Sequence, residues 1–250
     1  MNIANLTPAF ASDCQGHIHS LFHCVANISM DLPGGARLLT LTALHSPQIP
    51  DSIVVEPYVL DTCKAGMSAA LVKNCLQIGD LRLPFLRKSY PALTFLAGQM
   101  HTADFLAAAE AIPSGFDHLP APLRAHAVHA LTTSDAPDFI GLGPGLTPSF
   151  DDACVGVMAA YRALGLKAPF VIKKLNATTD VSARYLRLAE EGYFGEPLRQ
   201  LLFALFGRGS VRDALFRLLE VGATSGADMA FGVAAALRQA ENENHASGAR

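Results

Sequence analysis

Two rhythms of hydrophobic and polar positions divide the chain. Over its first 90 residues the apolar positions come in short runs separated by Gly and Pro, the pattern of strands joined by tight turns. Residues 19–30 mix apolar and polar side chains in strand fashion around Phe22, Val25 and Ile28. Asp31-Leu32-Pro33-Gly34-Gly35 reads as a turn, and 37–44 resumes with Leu38, Leu39 and Leu41. Ile53-Val54-Val55, Leu76-Gln77-Ile78 and the segment after Gly79-Asp80 are further strands, with a short helix predicted over 61–74. Near Tyr90-Pro91 the apolar period becomes helical. It predicts helices over 102–111, 122–132, 151–164, 182–191, 197–206, 210–221 and 227–239, several of them stopped by glycine. The expected fold is α+β: a β-rich part over 1–90, sandwich or barrel-like, then a mainly helical part over 91–240 and a polar, frayed tail over 241–250.

Composition narrows the classes. Half of the residues are hydrophobic and 16% are charged, enough to bury a sizeable core, and the low charge leaves room for a subunit interface or a homo-oligomer. A net charge of −3 argues against nucleic acid as a partner. No apolar run is long enough to span a bilayer, and no charge run suggests a membrane-binding face. The first Lys or Arg is Arg37, so the start of the chain lacks the basic region of a signal peptide. Five scattered cysteines, with no CxxC pair, read as reduced thiols of a cytoplasmic protein.

The chemistry concentrates in Gly141-Leu142-Gly143-Pro144-Gly145-Leu146-Thr147-Pro148-Ser149-Phe150-Asp151-Asp152. Alternate glycines leave the backbone N–H groups of Gly141, Gly143 and Gly145 open to close approach. Thr147 and Ser149 are natural helix N-caps, and a helix N-terminus attracts anions. The loop lacks the Gly-Lys-Ser/Thr ending of a Walker A motif and the spacing of a dinucleotide fingerprint, so it supports neither an ATPase nor an NAD enzyme. On its own it fits a tight connector equally well. A second stretch, Gly222-Ala223-Thr224-Ser225-Gly226-Ala227-Asp228, repeats the order Gly, any residue, Thr, then Asp four after the Thr. Both stretches run into helices that carry an interior Gly-Val, at Gly156 and Gly232. An interior helix glycine costs about 1 kcal/mol against alanine, so two of them call for a reason. Helices crossing at Gly156 and Gly232 would supply one, and would bring both N-termini to one polar site.

Asp151, Asp152 and Asp228 are the candidate catalytic carboxylates. Gly141, Gly143, Gly145, Thr147, Ser149, Thr224, Ser225 and Gly226 are the candidate ligand-binding positions, with Arg184 as an anion-binding side chain. Adjacent helical aspartates point about 100° apart, so Asp151 and Asp152 cannot serve one point equally. Carboxylates beside hydroxyls would suit a hard cation, which makes Mg²⁺ an open option rather than a required cofactor. Favourable placement of negative charge at a helix N-terminus explains each aspartate without any ligand. His17 with His19, and His126 with His129, are weaker candidates that fit surface positions better.

The glycine loop, then Val181-Ser182-Ala183-Arg184-Tyr185-Leu186 running to Glu191-Gly192-Tyr193-Phe194, then the 222–228 stretch, together resemble the AllH family over about residues 135–240. Before residue 135 the resemblance rests on β-rich character alone. It implies a subunit of oxamate carbamoyltransferase in allantoin breakdown, working with two other subunits, one of them FdrA-like. The implied reaction converts oxalurate and phosphate to oxamate and carbamoyl phosphate, so the implied ligands are small anions: phosphate, carbamoyl phosphate or oxalurate. Phe150 stands where the resemblance leads one to expect a small or polar residue, and Ala223 where histidine is common. Both departures remove polarity beside the expected site. Two other readings stay open: a stand-alone Mg²⁺-dependent hydrolase or transferase using the three aspartates, and a non-catalytic assembly subunit.

Overall fold

The computed structural model describes residues 2–248, with side chains through residue 243. The chain separates into two compact units between Pro91 and Ala92.

The first unit is a closed eight-stranded barrel of β1 (Asn2–Leu6), β2 (Cys14–Phe22), β3 (Val25–Leu32), β4 (Gly35–Ala43), β5 (Ser52–Val55), β6 (Ser68–Val72), β7 (Cys75–Ile78) and β8 (Leu81–Ser89). Around the barrel the order is β1-β5-β4-β3-β2-β6-β7-β8. The β1–β8 and β4–β5 pairs are parallel and the others antiparallel. Alternation sets the inner face: Ile28 with Met30, Leu39 with Leu41, Ile53 with Val55, Ala69 with Leu71, Leu76 with Ile78 and Leu83 with Phe85 are all buried. Eight strands enclose a space that side chains can fill, and closure leaves no free edge.

The barrel is one of the two β forms expected. Local corrections concern its connections. The segment 61–74 is not a helix: α1 (Pro57–Thr62) starts earlier, with Pro57 in its first turn, and β6 follows the turn at Ala65-Gly66. Two-residue alternation at Ala69 and Leu71 outweighs the helical spacing read there. The 19–30 run is split by a turn at His23-Cys24, and β1 carries two asparagines among five residues, a residue depleted in strands.

The second unit holds α2 (Ala103–Glu110), α3 (Ala121–Ala130), α4 (Ser149–Ala163), α5 (Asp180–Glu191), α6 (Glu196–Leu205), α7 (Val211–Leu219) and α8 (Ser225–Gly248). The seven helices follow the expected ones within a few residues, except that α8 continues through much of the segment expected to fray. Residues 249 and 250 of that segment lie outside the described residues. Among the described residues no helix is long and apolar enough to cross a membrane. The five cysteines are unpaired, with Cys14, Cys63 and Cys154 buried.

Helix α4 is the centre of this unit: every residue except Arg162 is buried. It crosses α8 at the two glycines. A Cβ on Gly156 would lie 2.1 Å from the Met229 carbonyl oxygen, and a Cβ on Gly232 would lie 2.0 Å from the Ala153 carbonyl oxygen. Each helix places its backbone where the other lacks a side chain. Phe150 at the head of α4 packs with Phe116 and Phe139, at ring-centre distances of 6.2 and 5.5 Å, and Phe116 stacks on Phe231 of α8 at 5.0 Å.

The crossing makes a direct prediction. Gly156→Ala must push the helices apart and is expected to lower stability by about 3 kcal/mol or more. Gly34→Ala, where an added Cβ meets nothing within 4 Å, should stay within about 0.5 kcal/mol of the parent. Urea unfolding followed by circular dichroism reads both, and equal midpoints would refute the close crossing.

Candidate functional site: two helix N-termini sharing buried carboxylates

The crossing brings the heads of α4 and α8 together. The Thr147 and Ser225 hydroxyls are hydrogen-bonded at 2.9 Å, joining the two loops that the sequence sets 78 residues apart. The correspondence between the helices is set by their glycine contacts: Ser149, Asp152, Ala153 and Gly156 of α4 match Ser225, Asp228, Met229 and Gly232 of α8. Asp228 therefore pairs with Asp152. The Thr-based spacing that equates it with Asp151 is displaced by one residue.

The serines act across the crossing. The Ser225 hydroxyl of α8, together with Thr147, supports the ionised form of Asp152 on α4. The Ser149 hydroxyl of α4, together with Thr224, does the same for Asp228 on α8. This differs from the N-cap role expected of Ser149 and Thr147. Pro148 occupies the N-cap position of α4 and Ser149 is already the first helical residue, so both hydroxyls turn toward the neighbouring helix.

The three aspartates have different surroundings. Asp151, 1% exposed, is fully engaged. Its Oδ1 accepts the Gly141 N–H at 2.7 Å, and its Oδ2 accepts the Thr178 hydroxyl at 2.5 Å and the Ser182 hydroxyl at 2.6 Å. It fastens the glycine loop and the start of α5 to α4. The Thr179 hydroxyl donates to the Leu146 carbonyl and accepts from the Ser182 N–H, so the cap of α5 also grips the loop. Asp152 is 5% exposed, and its Oδ2 has no partner among the described residues. Burial, opposed by the Ser225 and Thr147 hydroxyls and reinforced by the charges of Asp228 and Asp151, pushes its carboxyl up to about 7. Asp228 is fully buried; its Oδ1 accepts the Gly115 N–H at 2.7 Å and its Oδ2 is likewise without a partner. Burial raises its carboxyl as well, against the Gly115, Ser149 and Thr224 hydrogen bonds.

The loops leave a row of backbone donors. Among the described residues the N–H groups of Gly143, Gly145, Leu146, Thr147 and Ser149 have no acceptor, nor do those of Ala223, Thr224 and Ser225. Gly143 has φ +126°, and a Cβ there would lie 2.6 Å from the Ser149 nitrogen; Gly141 has φ +87° and faces the Ala177 carbonyl. The loop shape needs glycine at both.

The remaining candidates fall in several places. The Gly226 N–H donates to the Val221 carbonyl, and its Cα abuts the Leu218 carbonyl, so it serves the packing of α8 on α7. Arg184 is buried in α5 with its guanidinium 5.0 Å from the Tyr185 ring centre. Phe150 points into the aromatic core, so its departure from the expected residue removes no polarity from the site; Ala223 is exposed. The four histidines His17, His19, His126 and His129 are exposed. Among the described residues no three His, Cys, Asp or Glu side chains are grouped to hold a metal ion.

Sequence reasoning missed Gly115, Thr178 and Thr179. Gly115 opens a 3-10 turn (Gly115–His118) behind the capping box of Ser114 and Asp117, a short-range signal present in the sequence. Thr179, three residues before Ser182, is an N-cap signal for α5. Nothing local shows that either reaches Asp228 or the loop.

An eight-stranded barrel followed by a helical unit makes this an α+β protein. Two family models match: the one described as oxamate carbamoyltransferase subunit AllH over residues 139–237, and the AllH family N-terminal domain over residues 3–89. The chain belongs to the AllH family, and with it to a transferase, oxamate carbamoyltransferase, in which it is a subunit alongside others. No solved structure matches the chain.

The raised Asp152 carboxyl has a consequence for stability. The folded chain holds this proton more tightly than the unfolded chain, so between about pH 4 and 7 the folded state carries the extra proton. Stability from this group falls as pH rises through that window, by on the order of 4 kcal/mol in full. Asp152→Asn is therefore expected to be more stable than the parent at pH 8, with the gain shrinking toward pH 5. Urea midpoints at the two pH values test it; a pH-independent difference would contradict the assignment.

Proposed function

We propose that the paired loops at the heads of α4 and α8 bind the small anion of the carbamoyl transfer. The reaction is oxalurate plus phosphate giving oxamate plus carbamoyl phosphate, run in the cytoplasm together with an FdrA-like subunit and a further one. One observation carries this reading: two sets of unpaired backbone N–H groups, one per loop, are joined by the Thr147–Ser225 hydrogen bond. Both sit at the positive ends of helices whose dipoles favour an anion. Such donors also stabilise the charge that develops on the carbamoyl oxygen when phosphate attacks its carbon. The C–N bond to oxamate then breaks, and the proton of the attacking phosphate ends on the oxamate nitrogen.

In this reading Gly143, Gly145, Thr147, Ser149, Thr224 and Ser225 form the cradle, with Asp152 and Asp228 beneath it. Asp151, Gly141 and Gly226 hold its shape. The chemistry of the donor set favours an anion over the Mg²⁺-dependent alternative, because unpaired N–H groups donate to an anion and cannot ligate a cation.

Titration calorimetry with inorganic phosphate tests this. Thr147→Val removes the hydroxyl that bridges the loops and is expected to weaken phosphate binding about tenfold with the helical circular dichroism unchanged. Gly143→Val should abolish binding. Affinity unaltered in Thr147→Val and Gly143→Val would sink the cradle, and binding only in the presence of Mg²⁺ would favour the metal-dependent reading.

A further inference from the structure

Asp152 and Asp228 are an unusual floor for an anion cradle. Each carries a buried carboxylate oxygen with no hydrogen-bond partner among the described residues. Leaving such an oxygen unsatisfied costs on the order of 1–3 kcal/mol or more, so a pair of them at the heads of two crossing helices calls for a donor from outside the chain. Three classes of group could supply one. A divalent cation lacks ligands, because Asp151 is consumed by three internal hydrogen bonds and only two carboxylates remain. An ammonium group offers no acceptor to the unpaired backbone N–H groups beside the carboxylates. A neutral N–H₂ group on a carbonyl carbon brings two N–H bonds for the two acceptors and a carbonyl oxygen for the donors.

The neighbouring groups extend the match. The same helix heads that offer two lone carboxylate oxygens also offer backbone N–H donors and the hydroxyls of Thr147, Ser149 and Ser225. A planar carbamoyl group has the complementary halves: N–H donors on one side of its carbon and a carbonyl acceptor on the other. Gly115 closes the wall behind Asp228. A Cβ there would lie 3.1 Å from Asp228 Oδ2 and 1.8 Å from the Ser149 hydroxyl oxygen, so only a glycine lets the Asp228 carboxylate keep this position.

We propose that Asp152 and Asp228 form a subsite for the N–H₂ end of a carbamoyl group, each accepting one N–H through its otherwise unpartnered Oδ2, while the loop donors take the anionic end of the same molecule. This rests on the anion-cradle reading and adds to it the feature that selects a carbamoyl compound over an acyl one. An acyl analogue with a methyl group in place of the N–H₂ leaves both carboxylate oxygens bare, and a site built to accept hydrogen bonds rejects such an analogue strongly.

Two stable phosphonates separate the ideas without turnover. Phosphonoacetamide and acetonylphosphonate have the same skeleton and the same anionic end, and differ in N–H₂ against CH₃. Titration calorimetry of the full chain, alone and with its co-expressed partner subunits, is expected to show phosphonoacetamide binding at least tenfold more tightly. Asp152→Asn and Asp228→Asn replace an acceptor with a donor and should each reduce that preference to less than threefold with the helical circular dichroism unchanged. Equal binding of the two phosphonates by the parent chain, with phosphate still bound, overturns the subsite and leaves the cradle standing. Failure of phosphate and both phosphonates to bind overturns the two together. A preference retained in both asparagine variants places the N–H₂ elsewhere and also overturns the proposal.

Discussion

The approach of α4 to α8 is the constraint on which the site depends. Side chains ordinarily keep helix axes 8–10 Å apart, but at Gly156 and Gly232 each backbone occupies the place of the other's missing Cβ. Two contacts of this kind fix both the distance and the register of the crossing. Once they are fixed, everything at the helix heads follows. Ser149 comes under Asp228, Ser225 comes under Asp152, and the Thr147 hydroxyl meets that of Ser225. A slip of one residue would turn the matched residues about 100° around the helix and undo all three. Hydrophobic packing of Phe116, Phe139, Phe150 and Phe231 just below the heads holds the same register from the core side.

Within that frame, three aspartates of one residue type divide the work through their surroundings. Asp151 receives donors on both oxygens, which makes it a fastener between α4, the glycine loop and α5. Asp152 and Asp228 are as deeply buried but only half satisfied. Burial of carboxylates with bare oxygens is a standing cost to the fold, and stability given up at one place is a frequent mark of a site that serves binding or chemistry. The family to which the chain belongs is a subunit of oxamate carbamoyltransferase, an enzyme that transfers a carbamoyl group.

Much of this was legible in the sequence, and the limits have physical causes. The 3.6-residue period and glycine stops located all seven helices of the second unit, because both signals are local. The pairing of Gly156 with Gly232 was legible because interior helix glycine is costly and two copies in similar contexts point to each other. The roles of the aspartates were not legible. Asp151 and Asp152 are neighbours on one helix, and which of them is satisfied depends on Thr178 and Ser182, contributed by α5. Gly115 belongs to a turn more than 100 residues before Asp228, and no local pattern records that its N–H ends on that carboxylate. In the barrel, β1 escaped notice because two of its five residues are asparagine, which is depleted in strands, and 61–74 misled because a turn in its middle joins a helix end to a strand start.

The placement of β1 also bears on how the chain emerges during synthesis. Of the eight barrel strands Asn2–Leu6 is the first to be made, yet its two neighbours are β5 and β8, and its register with β8 runs to Ser89. Until Leu81–Ser89 is exposed, the nascent barrel has an open side with β1 unpaired along it. Contacts between segments so far apart in sequence form slowly, and an unpaired strand is a template for association with other chains. The helices of the second unit follow behind, so the barrel completes its seam as the start of the helical unit is still being made. A pause in translation before residue 89 has cleared the ribosome is then the moment of greatest exposure to aggregation, and a pause after that the safest.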